Sequence, residues 1–160
     1  MRIEQKLESL GITLPPATKP GGSYVSTVQT GNLLFVSGHA SVEHRGKLGR
    51  DVTMQQGYQI AREVAVSLLG TIHDALGDLD RVARIVKLLG LVNSTENFTE
   101  QPQVINGASE LFVEVFGEGG RHARSAIGVA QLPLSSAVEI ELILEIVTTT
   151  QSQEQRGVLL

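Results

Sequence analysis

The stretch Gly120–Ile146, "GRHARSAIGVAQLPLSSAVEIELILEI", decides how this chain is to be read. Arg121, His122 and Arg124 crowd its start, an almost uncharged run follows, and Glu139, Glu141 and Glu145 then alternate with Val, Ile and Leu. Side chains along a strand point alternately to opposite faces. Val138, Ile140, Leu142, Leu144 and Ile146 therefore share one face, which belongs against a core. Glu139, Glu141, Ile143 and Glu145 share the other, which is too mixed for a core and too apolar for plain solvent. That face predicts a subunit interface or a cleft, and hence an oligomer. On the preceding strand, over 124–130, Ser125, Ile127 and Val129 share one side, while Arg124, Ala126 and Gly128 share the opposite one. A turn near Gln131–Ala137 reads as a hairpin reversal that sets the strand of Glu139 beside that of Arg124.

A guanidinium set among Ala and Gly has room beside it, and its rigid donor fork matches a carboxylate in two parallel hydrogen bonds. A carboxylate opposite it suits proton transfer or the orientation of a water. Spacing alone leaves a second reading open: a cross-strand ion pair between Arg124 and Glu139 or Glu141, contributing about 0.5 kcal/mol if exposed.

Outward from this stretch, the chain alternates strand and helix signals. Residues 2–10 read as a short helix striped by Ile3, Leu7 and Leu10, and the Pro/Gly-rich connector 14–22 cannot prolong it. An extended segment over 24–29 and a strand over 33–37 make a first hairpin, followed by a loop over 38–51. Thr53 with Gln56 is a capping-box pattern. Ala61, Ala65, Leu68, Ile72 and Ala75 then hold a helical stripe until Gly77. A mostly buried strand over 82–92 and a second long helix over 102–116 precede the opening stretch. Strands 124–130 and 138–147 end the pattern, and 148–160 is a polar tail. The expectation is one α+β domain over 1–160, with a mixed sheet and two main helices on one face.

Composition narrows the function. The chain has 160 residues, 41% hydrophobic and 19% charged, with a net charge of -4. Proteins that track a polyphosphate backbone carry a basic excess, so stable nucleic-acid binding is not expected. There is no cysteine, which removes thiolate nucleophiles and Cys-ligated metals. His39, His44, His73 and His122 lack a metal-ligand spacing such as H-E-x-x-H, so no metal site is expected. Neither a signal-peptide core nor an apolar run of membrane length is visible, and the reading is a soluble cytoplasmic protein.

"ARSAIGVAQLP" followed by "VEIELILEI" resembles the C-terminal signature of the Rid family, the RidA/YjgF-type reactive-intermediate deaminases. "SYVSTVQTGNLLFVSG" and "VINGASELFVEVFG" are similar to two further blocks of that family, in the same order, so the resemblance covers roughly residues 20–147. The N-terminal helix, the Leu-Pro-Pro connector and "HARSA" resemble a longer branch. The resemblance implies a chorismate-mutase-like fold assembled as a trimeric barrel, with clefts between subunits.

It also implies roles. Arg124 matches the arginine that holds a substrate carboxylate, and Glu139 the acid that handles the proton or water. Asn106 falls on the helix asparagine that lines the cleft, and Tyr24 on the tyrosine that closes it. Gly38 and Ala126 supply backbone contacts. The implied chemistry hydrolyses imine tautomers of small enamines such as 2-aminoacrylate to a 2-oxoacid and ammonia. It needs no cofactor, because a protonated imine is already electrophilic. Binding of small carboxylate metabolites without turnover is the alternative reading. An endoribonuclease or translation-inhibitor role fits poorly, since a 4% aromatic content gives few stacking platforms. The family pattern departs at His39, where Gln is usual, at His122, where Pro is usual, and at Ala126. His39 is expected to alter which substrate side chain fits.

Overall fold

The strand last in sequence is the centre of the sheet. The computed structural model describes residues 2–147, so the tail over 148–160 lies outside the described residues. Five strands, β1 (Thr27–Thr30), β2 (Leu33–Ala40), β3 (Val82–Asn93), β4 (Ala123–Val129) and β5 (Val138–Ile146), lie in the order β1-β2-β5-β3-β4. β5 pairs antiparallel with both β2 and β3, and β4 joins the far edge of β3 in parallel. The alternation in β5 behaves as its sequence predicts: Val138, Ile140, Leu142, Leu144 and Ile146 are buried, while Glu141 is exposed.

Three helices complete the fold: α1 (Arg2–Ser9), α2 (Met54–Leu76) and α3 (Gln101–Phe116). The two long helices pack against one another and cover one face of the sheet. The capping box of α2 forms as expected, with Gln56 N–H donating to Thr53 Oγ1 at 3.2 Å and Thr53 N–H to Gln56 Oε1 at 2.9 Å. Gly77 ends the helix at φ 75°. Ala61, Ala65, Leu68 and Ile72 are buried along the expected stripe, but Ala75, in the last turn, is exposed. Close approach of the helices rests on Gly107, where a Cβ would lie 1.9 Å from the Tyr58 carbonyl oxygen.

Two expectations are corrected. The loop expected from residue 38 begins later, because β2 runs through an irregularity between Val36 and His39 and pairs on to Ala40. More importantly, β4 and β5 do not form a hairpin, since β3 lies between them. The connecting residues 130–137 cross the end of β3, where buried Asn93 anchors them. Its backbone N–H donates to the Ala137 carbonyl at 2.9 Å and its Nδ2 to the Ser136 carbonyl at 3.1 Å. Lys47 Nζ binds both Asn93 Oδ1 and the Ala130 carbonyl.

β3 is also less buried than expected, since Lys87, Leu89 and Leu91 on its helix-free side are only partly covered. On that side the sheet presents Val28, Phe35 and Ile127, with Phe35 40% and Ile127 48% exposed. One chain gives an open sheet with β1 and β4 as edges, so the barrel expected of the assembly is not closed within a chain.

Candidate active site

Strand register divides the candidate residues into two groups. Arg124 is level with Leu88 on β3, which is level with Leu142 on β5, and those leucines are buried on the helix side. Glu139 is level with Leu91, which is level with Ile127, all on the helix-free side. Arg124 and Glu139 are therefore on opposite faces, two strand spacings or about 10 Å apart laterally and displaced further along the strands. The expected juxtaposition on adjoining strands is not present in one chain. The cross-strand ion pair is excluded by the same register.

The first group gathers between β4 and α3. Arg124 Nη1 donates to Asn106 Oδ1 at 2.7 Å and to Ser109 Oγ at 3.2 Å. Asn106 and Ser109 are three residues apart on α3 and so share a face. Ser109 Oγ also lies 2.9 Å from His122 Nε2, and His122 Nδ1 lies 2.7 Å from the Gly120 carbonyl oxygen. The His122 ring stands edge-on to Phe112, with centroids 6.3 Å apart. Burial lowers the His122 pKa, and the nearby Arg124 charge adds to that effect against the Gly120 hydrogen bond. Burial also lowers the pKa of Arg124. A groove of about 240 Å³ is lined by Asn106, Ser109, Val113, Arg121, His122 and Arg124. Ala126 follows on the same side of β4, level with Gly90, and packs against the core. Sequence reasoning passed over Ser109; its spacing from Asn106 was the available signal.

The second group gathers around β5 and β2. The Glu139 carboxylate lies over Gly38, where a Cβ would meet Oε1 at 2.3 Å. Burial raises the pKa of Glu139, with repulsion from Glu141 as a further cause. The segment of Tyr24 runs beside β2, where Ser37 Oγ donates to the Val25 carbonyl at 2.7 Å. Tyr24 itself is exposed, its hydroxyl accepting only the Gly21 N–H at 3.1 Å among the described residues.

His39 corrects its expectation. Its ring is buried on the helix side, with Nε2 2.8 Å from Thr71 Oγ1 and Nδ1 2.9 Å from the Ser37 carbonyl. It ties β2 to α2, and its ring lies on the sheet face opposite the Glu139 carboxylate. Hollows larger than the arginine groove lie beside α1 and between His44 and Glu63, at about 380 and 450 Å³. Neither contains a candidate residue, so size does not identify the site. Glu4, Asp78 and Asp80 cluster closely enough to suggest a cation. Their oxygens instead accept the backbone N–H groups of Arg2, Ile3, Leu79 and Asp80.

Comparison with known proteins bears on this arrangement. Residues 4–146 match the family model "YjgF/chorismate_mutase-like, putative endoribonuclease". Protein TCP17 of Trypanosoma cruzi is 47% identical over 151 residues, covering 91% of this chain and 94% of that protein. A 2-iminobutanoate/2-iminopropanoate deaminase of Dermatophagoides farinae is 28% identical over 135 residues, covering 84% of this chain and 94% of that one. The crystal structure of protein Atu1372 from Agrobacterium tumefaciens superposes with a TM-score of 0.85 at 44% identity, covering 91% of this chain and 93% of that one.

Proposed function

Since this chain belongs to the YjgF/chorismate-mutase-like family, we propose that it hydrolyses small enamine and imine intermediates of the 2-aminoacrylate type to 2-oxoacids and ammonia. The observation that carries this reading is a cation with an open edge. Among the described residues Arg124 donates only from Nη1, to the neutral oxygens of Asn106 and Ser109, and no carboxylate neutralises it. Its Nε and Nη2 remain as a pair of donors for a substrate carboxylate, each charge-assisted bond contributing roughly 1.5–3 kcal/mol.

Glu139 supplies the second half of the reaction from an adjacent copy. Three copies associating through their helix-free sheet faces would cover Val28, Phe35 and Ile127 and bring the edge strand β4 of one near Glu139 of the next. In that cleft the enamine tautomerises to the imine, and water adds to the C=N carbon while the Glu139 carboxylate takes the water proton. Glu139 returns that proton to the amino nitrogen, the C–N bond breaks as the new hydroxyl gives up its proton to the carboxylate and becomes the carbonyl, and ammonia leaves behind a 2-oxoacid. The partly desolvated carboxylate suits this role, because its raised pKa makes it a stronger base than an ordinary glutamate. The relative from Dermatophagoides farinae, named for the deamination of 2-iminobutanoate and 2-iminopropanoate, supports the reading.

The test is ammonia release from enamine generated in situ by a serine or threonine dehydratase. Wild-type protein should accelerate it, and Arg124→Ala, which removes both charge-assisted bonds, should reduce kcat/KM by about 100-fold or more. An unchanged rate in the variant would remove the reading.

A second reading, carboxylate binding without turnover, is favoured by one observation: the Arg124 group is complete within a chain, whereas Glu139 is on the other face. Calorimetric titration with 2-oxobutyrate beside the turnover assay separates the two. Saturable binding without a rate selects the binding module.

A further inference from the structure

We propose that His122 is a positioning residue for Arg124, acting through the Ser109 hydroxyl to hold the guanidinium with its free edge available to a carboxylate. The inference rests on the reading that Arg124 binds the substrate carboxylate, and it assigns a role to a histidine standing where the family pattern has proline.

Donor and acceptor rules give the chain of contacts a direction. The Gly120 carbonyl can only accept, so His122 Nδ1, 2.7 Å away, carries a proton. Burial, and after it the Arg124 charge, lower the His122 pKa against the Gly120 hydrogen bond and so favour the neutral ring, in which Nε2 is an acceptor. The Ser109 hydroxyl, 2.9 Å from Nε2, therefore points its proton at His122. Its lone pairs are left to receive Arg124 Nη1 at 3.2 Å, while Asn106 Oδ1 takes the other Nη1 proton at 2.7 Å. Both hydrogens of Nη1 are thereby used, and the Nε–Nη2 edge is the one left for a ligand. Without the imidazole acceptor, the Ser109 hydroxyl loses the partner that fixes its proton, and its lone pairs are no longer held towards the guanidinium.

The packing around the ring has the same consequence. His122 is gripped by Phe112 edge-on, and Gly120 is pressed against the end of α3, where a Cβ would lie 2.1 Å from the Phe112 carbonyl oxygen. A ring held on three sides has little freedom to flip, so its tautomer and its grip on Ser109 are set by the fold.

His122→Phe keeps a planar ring against Phe112 and removes Nε2, whereas Ser109→Ala removes the hydroxyl alone. Each should retain the wild-type melting temperature to within a few degrees and weaken 2-oxobutyrate binding roughly tenfold, the effect of losing one anchoring hydrogen bond. Because both act in one relay, the double variant should bind no worse than either single one. In wild-type protein, ¹⁵N NMR of the His122 ring should report the neutral tautomer with hydrogen on Nδ1. An Nε2–H tautomer, additive losses in the double variant, or wild-type affinity in both single variants would overturn the relay. Binding that depends on Arg124 but not on His122 or Ser109 refutes the relay alone. A wild-type protein indifferent to 2-oxobutyrate refutes the carboxylate reading and the relay with it.

Discussion

Gly38 lies beneath the carboxylate of Glu139, and a methyl group in place of its hydrogen would meet Oε1 at 2.3 Å and Cδ at 3.2 Å. The obstructing atoms are the far end of a flexible side chain, so the fold can absorb the intrusion by moving the carboxylate. Gly38→Ala should therefore melt within a few degrees of wild type while losing about tenfold or more in kcat, since a displaced base is no longer within reach of its proton. Thermal melts beside the ammonia assay check this, and a fully active variant would count against Glu139 as the base.

The pH dependence should carry the signature of the same residue. Burial first, and Glu141 second, raise the Glu139 pKa above that of an ordinary carboxyl, so the folded protein favours the protonated form. A base must be ionised, and kcat/KM should rise with pH through a midpoint above the usual carboxylate value of 4.5. Glu141→Gln removes one cause and should move that limb to lower pH. The sign for stability is opposite to the catalytic one: ionising Glu139 at neutral pH weakens the fold, so Glu139→Gln should melt no lower than wild type while turnover disappears.

The helix-free sheet face should control assembly. Phe35, 40% exposed in a single chain, sits level with Ile143 at the middle of that face, and Val28 is level with it on β1. Phe35→Asp places an unpaired charge there, where burial on association would be strongly unfavourable. Light scattering should show the wild type as a trimer and the variant as a monomer. Turnover should fall with assembly, because Glu139 and Arg124 of one chain lie on opposite faces.

Gly107 offers a test of the fold itself. Alanine is the better helix former by about 1 kcal/mol. Yet its Cβ would stand 1.9 Å from the Tyr58 carbonyl oxygen and 3.2 Å from the Arg62 nitrogen, both backbone atoms that cannot swing aside. Overpacking should win, and Gly107→Ala should destabilise by about 1–3 kcal/mol in chemical denaturation. Arg62 and Glu114, paired across the same two helices at 2.7 Å, would be forced apart with it.

Local physics is legible in the amino-acid sequence. The alternation of Val138–Ile146 determined which face of that strand is buried, the Thr53–Gln56 pair began α2, and Gly77 ended it, because each depends on neighbours within a turn or a strand. The motif blocks also brought Arg124 and Asn106 into one account, and the structure joins them at 2.7 Å. What tertiary structure alone decided was adjacency. A period of two says which way a side chain faces but not which strand lies alongside, so the short link over 131–137 read as a hairpin although it passes over the end of β3. That crossing sets a whole strand between Arg124 and Glu139, which the register across β3 leaves on opposite faces. It also brings β4 against α3, where Ser109 and His122, 13 residues apart, meet at 2.9 Å. Such contacts depend on where the whole backbone travels, which no local pattern in the sequence records.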